Sequence, residues 1–255
     1  MARRRTLQMD DIRLDNPVWH ALAESQGGFA QRHGTVSRFP SDIAPFVAFE
    51  SADRVSTDDL CALVQVGETV DFVGAAPAHW KDWEIADRET IEQMHVDVPI
   101  ATGPGSLITT LDTESVQEMM ALTGLVYPGY FRPRTIELGN YIGIHEGGRL
   151  VAMAGERMWI GPWREISAVC THPEHLGRGH AYRLAATLVN SILRRGMRPF
   201  LHVSAANERA LALYRRLAEN RSCVFGIHAI HGLRFCHSQR DRRVARATPR
   251  CLIRS

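Results

Sequence analysis

Glu165-Ile-Ser-Ala-Val-Cys-Thr-His-Pro-Glu-His-Leu-Gly-Arg-Gly-His-Ala181 runs from an apolar stretch through a glycine-bearing loop into a helical pattern. Glu165–Thr171 reads as a strand and residues 172–179 as a loop. From His180 to Arg195 apolar residues recur at helical spacing (Leu184, Leu188, Ile192, Leu193), and Gly196 supplies the stop. Gly177 and Gly179 let the backbone turn sharply and approach a ligand closely. The helix start behind them offers unpaired N–H groups and about half a positive charge. Strand, loop and helix in this order make an anion site suited to a pyrophosphate. The string is not the dinucleotide fingerprint, because G-x-G-x-x-G is incomplete. Nor is it a P-loop, because G-x-x-x-x-G-K-[ST] is absent.

Outward from this stretch, strands and helices mix. Tyr141–His145 and Leu150–Ala154 flank Glu146-Gly147-Gly148-Arg149, which reads as a hairpin turn. Asp112–Leu125 is helical with a cap-like start, Phe200–Val203 is a strand and Asn207–Leu217 a helix. Pro99, Gly103, Pro104 and Gly105 form a turn-rich stretch that neither helix nor strand favours. The chain is therefore read as an N-terminal α/β domain over residues 1–105, a second domain over 106–235, and a basic tail over 236–255. In the first part, Asn16 and Pro17 open a helix. Phe46–Phe49 and Val70–Val73 are short strands, with Asp58–Val66 helical between them. The charged, Trp-bearing stretch 80–84 reads as surface. The fold class is mixed α/β.

Composition narrows the function classes. With 255 residues, 45% hydrophobic and 23% charged, the chain is neither disordered, collagen-like nor a disulfide miniprotein. No apolar run approaches the roughly 18–20 residues of a membrane span, and Met9-Asp10-Asp11 follows the basic start where a signal peptide would turn apolar. The five cysteines are scattered and form no C-x-x-C pair. These features predict a reduced, cytoplasmic protein. Residues 1–100 carry 17 acids and 9 bases, whereas residues 101–255 carry 11 acids and 21 bases. That modest positive field suits a small polyanion and is thin for a nucleic acid.

In this setting, residues 165–181 resemble the cofactor-binding motif of the GCN5-related N-acetyltransferase (GNAT) superfamily. The strand that follows and Asn207-Glu-Arg-Ala-Leu-Ala-Leu-Tyr214 resemble that family's next motif, an Asn seven positions before a Tyr. The resemblance spans roughly 107–217, and around 127–181 it is nearest to FR47-like bacterial acetyltransferases. It implies an acyl-CoA N-acyltransferase fold, an α+β mixed sheet preceded by an α/β extension, a degenerate GNAT-like half or a cap on the acceptor pocket. It implies acetyl-CoA as co-substrate and direct acetyl transfer to a primary amine of a small molecule or peptide. No nucleic acid or membrane is implied, and a homodimer stays open. Val169, Cys170 and Thr171 match the backbone positions along the pantetheine arm. Gly177, Arg178, Gly179, His180, Ala181 and Tyr182 match the pyrophosphate loop, and Asn207 matches a polar contact to the cofactor arm. Tyr214 matches the acid that protonates the departing thiolate. Glu165 stands where several family members carry the base that takes the amine's proton, a step an alkylammonium with pKa near 10 requires.

Other readings stand beside these. Glu156 and His145 are alternative bases. His172, His175 and His180 read as solvated loop histidines, with no metal expected. Cys170 reads as a buried, inert thiol. Leu176 takes the place where the family usually has Arg or Gln. After Leu217, Ala218-Glu219-Asn220-Arg221 replaces the usual Gly-Phe, which suggests a frame-shifted or divergent end from about 218, with Val224–Ile230 as a substitute strand. Two rivals to the enzyme reading are a non-catalytic acyl-CoA-binding or sensing protein and a partner-binding module.

Overall fold

Two neighbouring strands that pair along half their length and then part organise the molecule. The computed structural model describes residues 11–74, 83–218 and 224–235. Its strands are β1 (Gln31–His33), β2 (Val36–Arg38), β3 (Val47–Phe49), β4 (Thr69–Val73), β5 (Trp83–His95), β6 (Thr109–Leu111), β7 (Tyr141–Glu146), β8 (Arg149–Ile160), β9 (Trp163–Thr171), β10 (Arg198–Ser204) and β11 (Val224–Phe235). The helices are α1 (Pro17–Ala23), α2 (Thr57–Leu63), α3 (Val116–Val126), α4 (His180–Arg194) and α5 (Glu208–Ala218). Eight strands form one sheet in the order β4-β11-β5-β10-β9-β8-β7-β6, and β1-β2-β3 form a small second sheet. Only β9 and β10 run parallel within the large sheet; its other neighbours are antiparallel.

Helix α4 forms for the reason its sequence suggests. Leu184, Leu188 and Ile192 are buried in a cluster with Ala152, Ala154 and Ile166 of the sheet, and Leu211 and Leu217 of α5 join it. Each such burial is worth about 1.5–3 kcal/mol. On α3, Met119 and Leu122 pack with Tyr141, Met153 and Cys170 in a separate cluster. Asp112 does cap the approach to α3: its Oδ1 accepts from the N–H groups of Glu114 and Ser115. Asn16 precedes α1, but its side chain donates to Phe49 O (2.8 Å) instead of capping the helix.

The turn-rich stretch at 99–105 separates β5 from β6, yet strands from both sides of it hydrogen-bond in the same sheet. Leu14, Val18, Leu22, Phe39 and Ile43 also share a core with Met158, Ile160, Trp163 and Phe200. Strand β5 was not legible as a strand. Gln93 and His95 are buried in it, at 1% and 5% exposure, and break the apolar alternation that marks a strand.

Beyond 218 the substitute strand expected at Val224–Ile230 is present and runs on to Phe235. β11 pairs with β5 from Val224↔Met94 to Phe235↔Trp83, and with β4 on its other edge. A strand paired with a neighbour on each side is an integral part of the sheet. The basic tail at 236–255 lies outside the described residues, as do 80–82 of the Trp-bearing stretch. Among the described residues no helix is long and apolar enough to cross a membrane.

In the β7–β8 hairpin, Tyr141 sits opposite Gly155. A Cβ at 155 would fall inside the Tyr141 ring, which is 1% exposed and has nowhere to go. Gly155→Ala is therefore expected to cost about 1–3 kcal/mol, read as a lower denaturation midpoint at unchanged slope.

Candidate active site

The pairing of β9 with β10 ends at Ile166↔Leu201, although β9 continues to Thr171 and β10 to Ser204. At the same place β9 carries an extra residue against β8. The register jumps from Gly155↔Ser167 to Met153↔Cys170, so Ala168 and Val169 together face Ala154. Ala168 takes φ +53°, the left-handed region, at a cost of roughly 1–2 kcal/mol for a residue with a Cβ. A bulge leaves one residue out of the ladder. The parted strands open a cleft beside it.

Two cavities meet there. The first, about 670 Å³, is lined by Val169, Cys170 and Thr171 of β9, by Gly177 to Tyr182, and by Asn207 and Tyr214. All ten residues expected around the cofactor line this one cavity. Gly177 and Gly179 have φ near +80° with open space where a Cβ would be, so the demand for glycine is conformational. Arg183 N donates to Gly179 O (3.1 Å) as the first return bond of α4. The N–H groups of His180, Ala181 and Tyr182 precede it at the positive end of the helix. That arrangement fits a diphosphate. Leu176 lies on the rim, 43% exposed.

The second cavity, about 710 Å³, lies beyond the bulge. Its walls include Ile166 to Val169, Tyr127, Tyr130, Arg157 and His202, and also Pro45, Phe46, Asp71 and Val73 from the N-terminal part. Val126, Tyr127, Val169, Asn207, Ala210 and Tyr214 line both cavities. Asn207 Oδ1 accepts from Ala210 N (3.0 Å) and so caps α5, while its amide reaches Tyr127 Oη at 3.5 Å. Tyr214 stands seven positions on. Burial pushes its phenol pKa up, with Tyr127, Tyr130 and Cys170 adding to the shift, so the hydroxyl keeps its proton. Cys170 is buried and its thiol is pushed up to about 12 by burial, the state of an unreactive thiol.

Glu165 differs from the base the sequence suggested. It is fully buried and does not line either cavity. Arg157 Nη2 and Nε donate to its two oxygens at 2.6 and 2.7 Å, and His202 Nδ1 lies 2.8 Å away. Burial alone would raise its pKa, but the Arg157 charge and these hydrogen bonds bring it down to about 2. A carboxylate so held is a poor proton acceptor. His202 is the group of this network that borders the second cavity, together with Arg157 and Tyr130, whose hydroxyl accepts from Arg157 Nη1. Gln93 Nε2 sits 2.8 Å from His202 Nε2 and donates to Leu14 O. The alternative bases stand elsewhere: Glu156 binds Arg195 (2.5 Å), His145 binds Glu118 (3.0 Å), and neither lines either of these two cavities.

The loop histidines are not solvated as expected. His172 and His180 are only 9% and 4% exposed, because the Glu146 turn of the β7–β8 hairpin packs over the loop. Arg157, His202, Tyr127 and Tyr130 were missed in the sequence. They come together only through strand register and the loop after α3. A second bulge, which puts an extra residue in β8 between Glu156 and Trp159, accompanies the turn of Arg157 toward Glu165.

A family model described as FR47-like protein matches residues 141–222. The crystal structure of a Novosphingobium aromaticivorans protein, described as an acetyltransferase from the GNAT family, is 30% identical in sequence. The match covers 88% of this chain and 99% of that one, with a TM-score of 0.79. A GCN5-related N-acetyltransferase from Kribbella flavida matches at 16% identity over 88% and 98% of the two chains, with a TM-score of 0.58. A GCN5-related N-acetyltransferase-like protein from Streptococcus suis matches at 16% identity over 86% and 96%, also at 0.58. At that identity the last two speak to the fold alone. No curated protein matches the chain.

Proposed function

Since the chain belongs to the GNAT acetyltransferase family, we propose that it moves the acetyl group of acetyl-CoA directly onto a primary amine, in the cytoplasm and without a covalent enzyme intermediate. One observation carries this reading: a cavity edged by the glycine loop and the start of α4 meets a second cavity at Val169, with Tyr214 in the wall of both. Acetyl-CoA supplies an activated thioester. The N–H groups at 177–182 hold its diphosphate, and the backbone at 169–171 runs beside the pantetheine arm. The amine enters through the second cavity, whose N-terminal walls fit the role of a cap that selects the acceptor.

The chain's own groups then handle charge and protons. The amine's proton passes to His202, because that imidazole borders the cavity while Glu165 holds its Nδ1–H. The Gln93 amide, now resting on the other ring nitrogen, turns aside to admit the proton. Glu165 is thus a positioning residue and the counter-charge for the imidazolium. The amine nitrogen attacks the acetyl carbon, and a backbone N–H released at the bulge faces the negative charge gathering on the carbonyl oxygen. The C–S bond breaks and Tyr214 gives its proton to the leaving sulfur, while the attacking nitrogen sheds its second proton, which returns through solvent to the Tyr214 oxygen.

The test is thiol release from acetyl-CoA over a panel of primary amines, with calorimetry of CoA binding alongside. Amine-dependent release is expected, and His202→Gln should lower kcat about 10²-fold or more. Tight CoA binding with no release on any amine would leave a binding or sensing protein. No CoA binding would defeat the reading outright.

A further inference from the structure

Beside the diphosphate loop, and outside both cavities' meeting point, three side chains from two distant stretches converge. Glu146 closes β7, His175 ends the short turn Pro173–His175, and His180 opens α4. His175 Nδ1 lies 3.0 Å from Glu146 Oε2, and His180 Nε2 lies 3.2 Å from Glu146 Oε1. One ligand atom from each residue falls within 4.8 Å of the others. His180 is 4% exposed, and neither of its ring nitrogens has a hydrogen-bond partner among the described residues. An orphaned buried polar group of this kind typically costs about 1–3 kcal/mol. The His180 Nε2 stands within ion-pair range of the carboxylate but is not aligned for a hydrogen bond with it.

We propose that Glu146, His175 and His180 bind one divalent transition-metal ion, of which zinc is the type that two imidazoles and a carboxylate suit. Three protein ligands leave a position for water or for an oxygen of a bound ligand. Arg178 Nη1 now occupies Glu146 Oε2 at 2.7 Å; it is half-exposed and borders the cofactor cavity, so it yields to the ion by swinging toward that cleft. Ser106 Oγ, 3.4 Å from Glu146 Oε1, remains to orient the carboxylate. The neighbouring trio His172, Glu174 and His175 makes a poorer site. His172 Nδ1 already accepts from Glu174 N, and its Nε2 meets Arg149.

The experiment uses the full chain, stripped with chelator and without acetyl-CoA, so its outcome does not depend on the enzymatic reading. Cobalt(II) is titrated and its visible absorption followed, and zinc is tested for a rise in Tm. One saturable equivalent is expected. Glu146→Gln and His175→Ala should each weaken it at least about tenfold; both residues are partly exposed, so the fold tolerates these changes better than one at the buried His180. No saturable uptake overturns the proposal. So does uptake that both variants leave unchanged, which would mean an adventitious ion only.

Discussion

Glu165→Gln should cost the fold about 3–5 kcal/mol, the usual penalty for removing one partner of a buried ion pair. At this chain length that is a fall in Tm of roughly 6–20 °C. The magnitude follows from what is left behind. Arg157 is 6% exposed and stacks near the Phe46 ring (4.7 Å), so its charge is left without an anionic partner in a largely desolvated place once the carboxylate is gone. The sign of the pH dependence is fixed by the shift. The Glu165 carboxyl falls from 4.5 to about 2 on folding. Its contribution is therefore fully present above about 4.5 and is lost as pH falls toward 2; the shift corresponds to roughly 3 kcal/mol. The Tm gap between wild type and Glu165→Gln should be widest near neutrality and close steadily below pH 4.5. Replacing both partners, Arg157→Met with Glu165→Leu, should be far milder than either single change. A Tm for Glu165→Gln equal to wild type at pH 7 would show that the pair contributes nothing.

That network also marks the limit of what the sequence discloses. Residues 165–181 were legible because strand, loop and helix are contiguous and each signal is local: apolar run, glycines, helical spacing. The residues proposed to hold the diphosphate follow one another along the chain, so a string carries them. The proposed acceptor side is assembled otherwise. Arg157 reaches Glu165 across β8 and β9, and His202 reaches it from β10, so their proximity depends on a register that two bulges shift. The same holds for Glu146 and His180, joined only when the hairpin folds over the loop. β5 stayed hidden because its polar residues are buried for a reason outside the strand: Gln93 satisfies Leu14 O and His202. β11 was legible only over Val224–Ile230; its extension to Phe235 was not, because His231 and Gly232 interrupt the residues that mark a strand.

Tyr214→Phe should lower thiol release about 10²-fold while leaving stability and CoA affinity nearly unchanged. The hydroxyl makes no hydrogen bond to another described residue, so the fold loses little when it goes. Its place in the wall shared by the two cavities puts the proton where the sulfur departs. Burial raises the phenol pKa, so the proton is present throughout the working range and the kcat profile should show no loss from Tyr214 below about pH 10. A thiolate with conjugate pKa near 8.5 leaves reluctantly without a donor. General-acid help matters less as the leaving group becomes more acidic, so an acetyl thioester of a more acidic thiol should narrow the gap between the Tyr214→Phe variant and wild type. A merely structural Tyr214 would give no such dependence on the thiol. Equal rates with acetyl-CoA would remove Tyr214 from the chemistry, and the thiolate would then depart unaided.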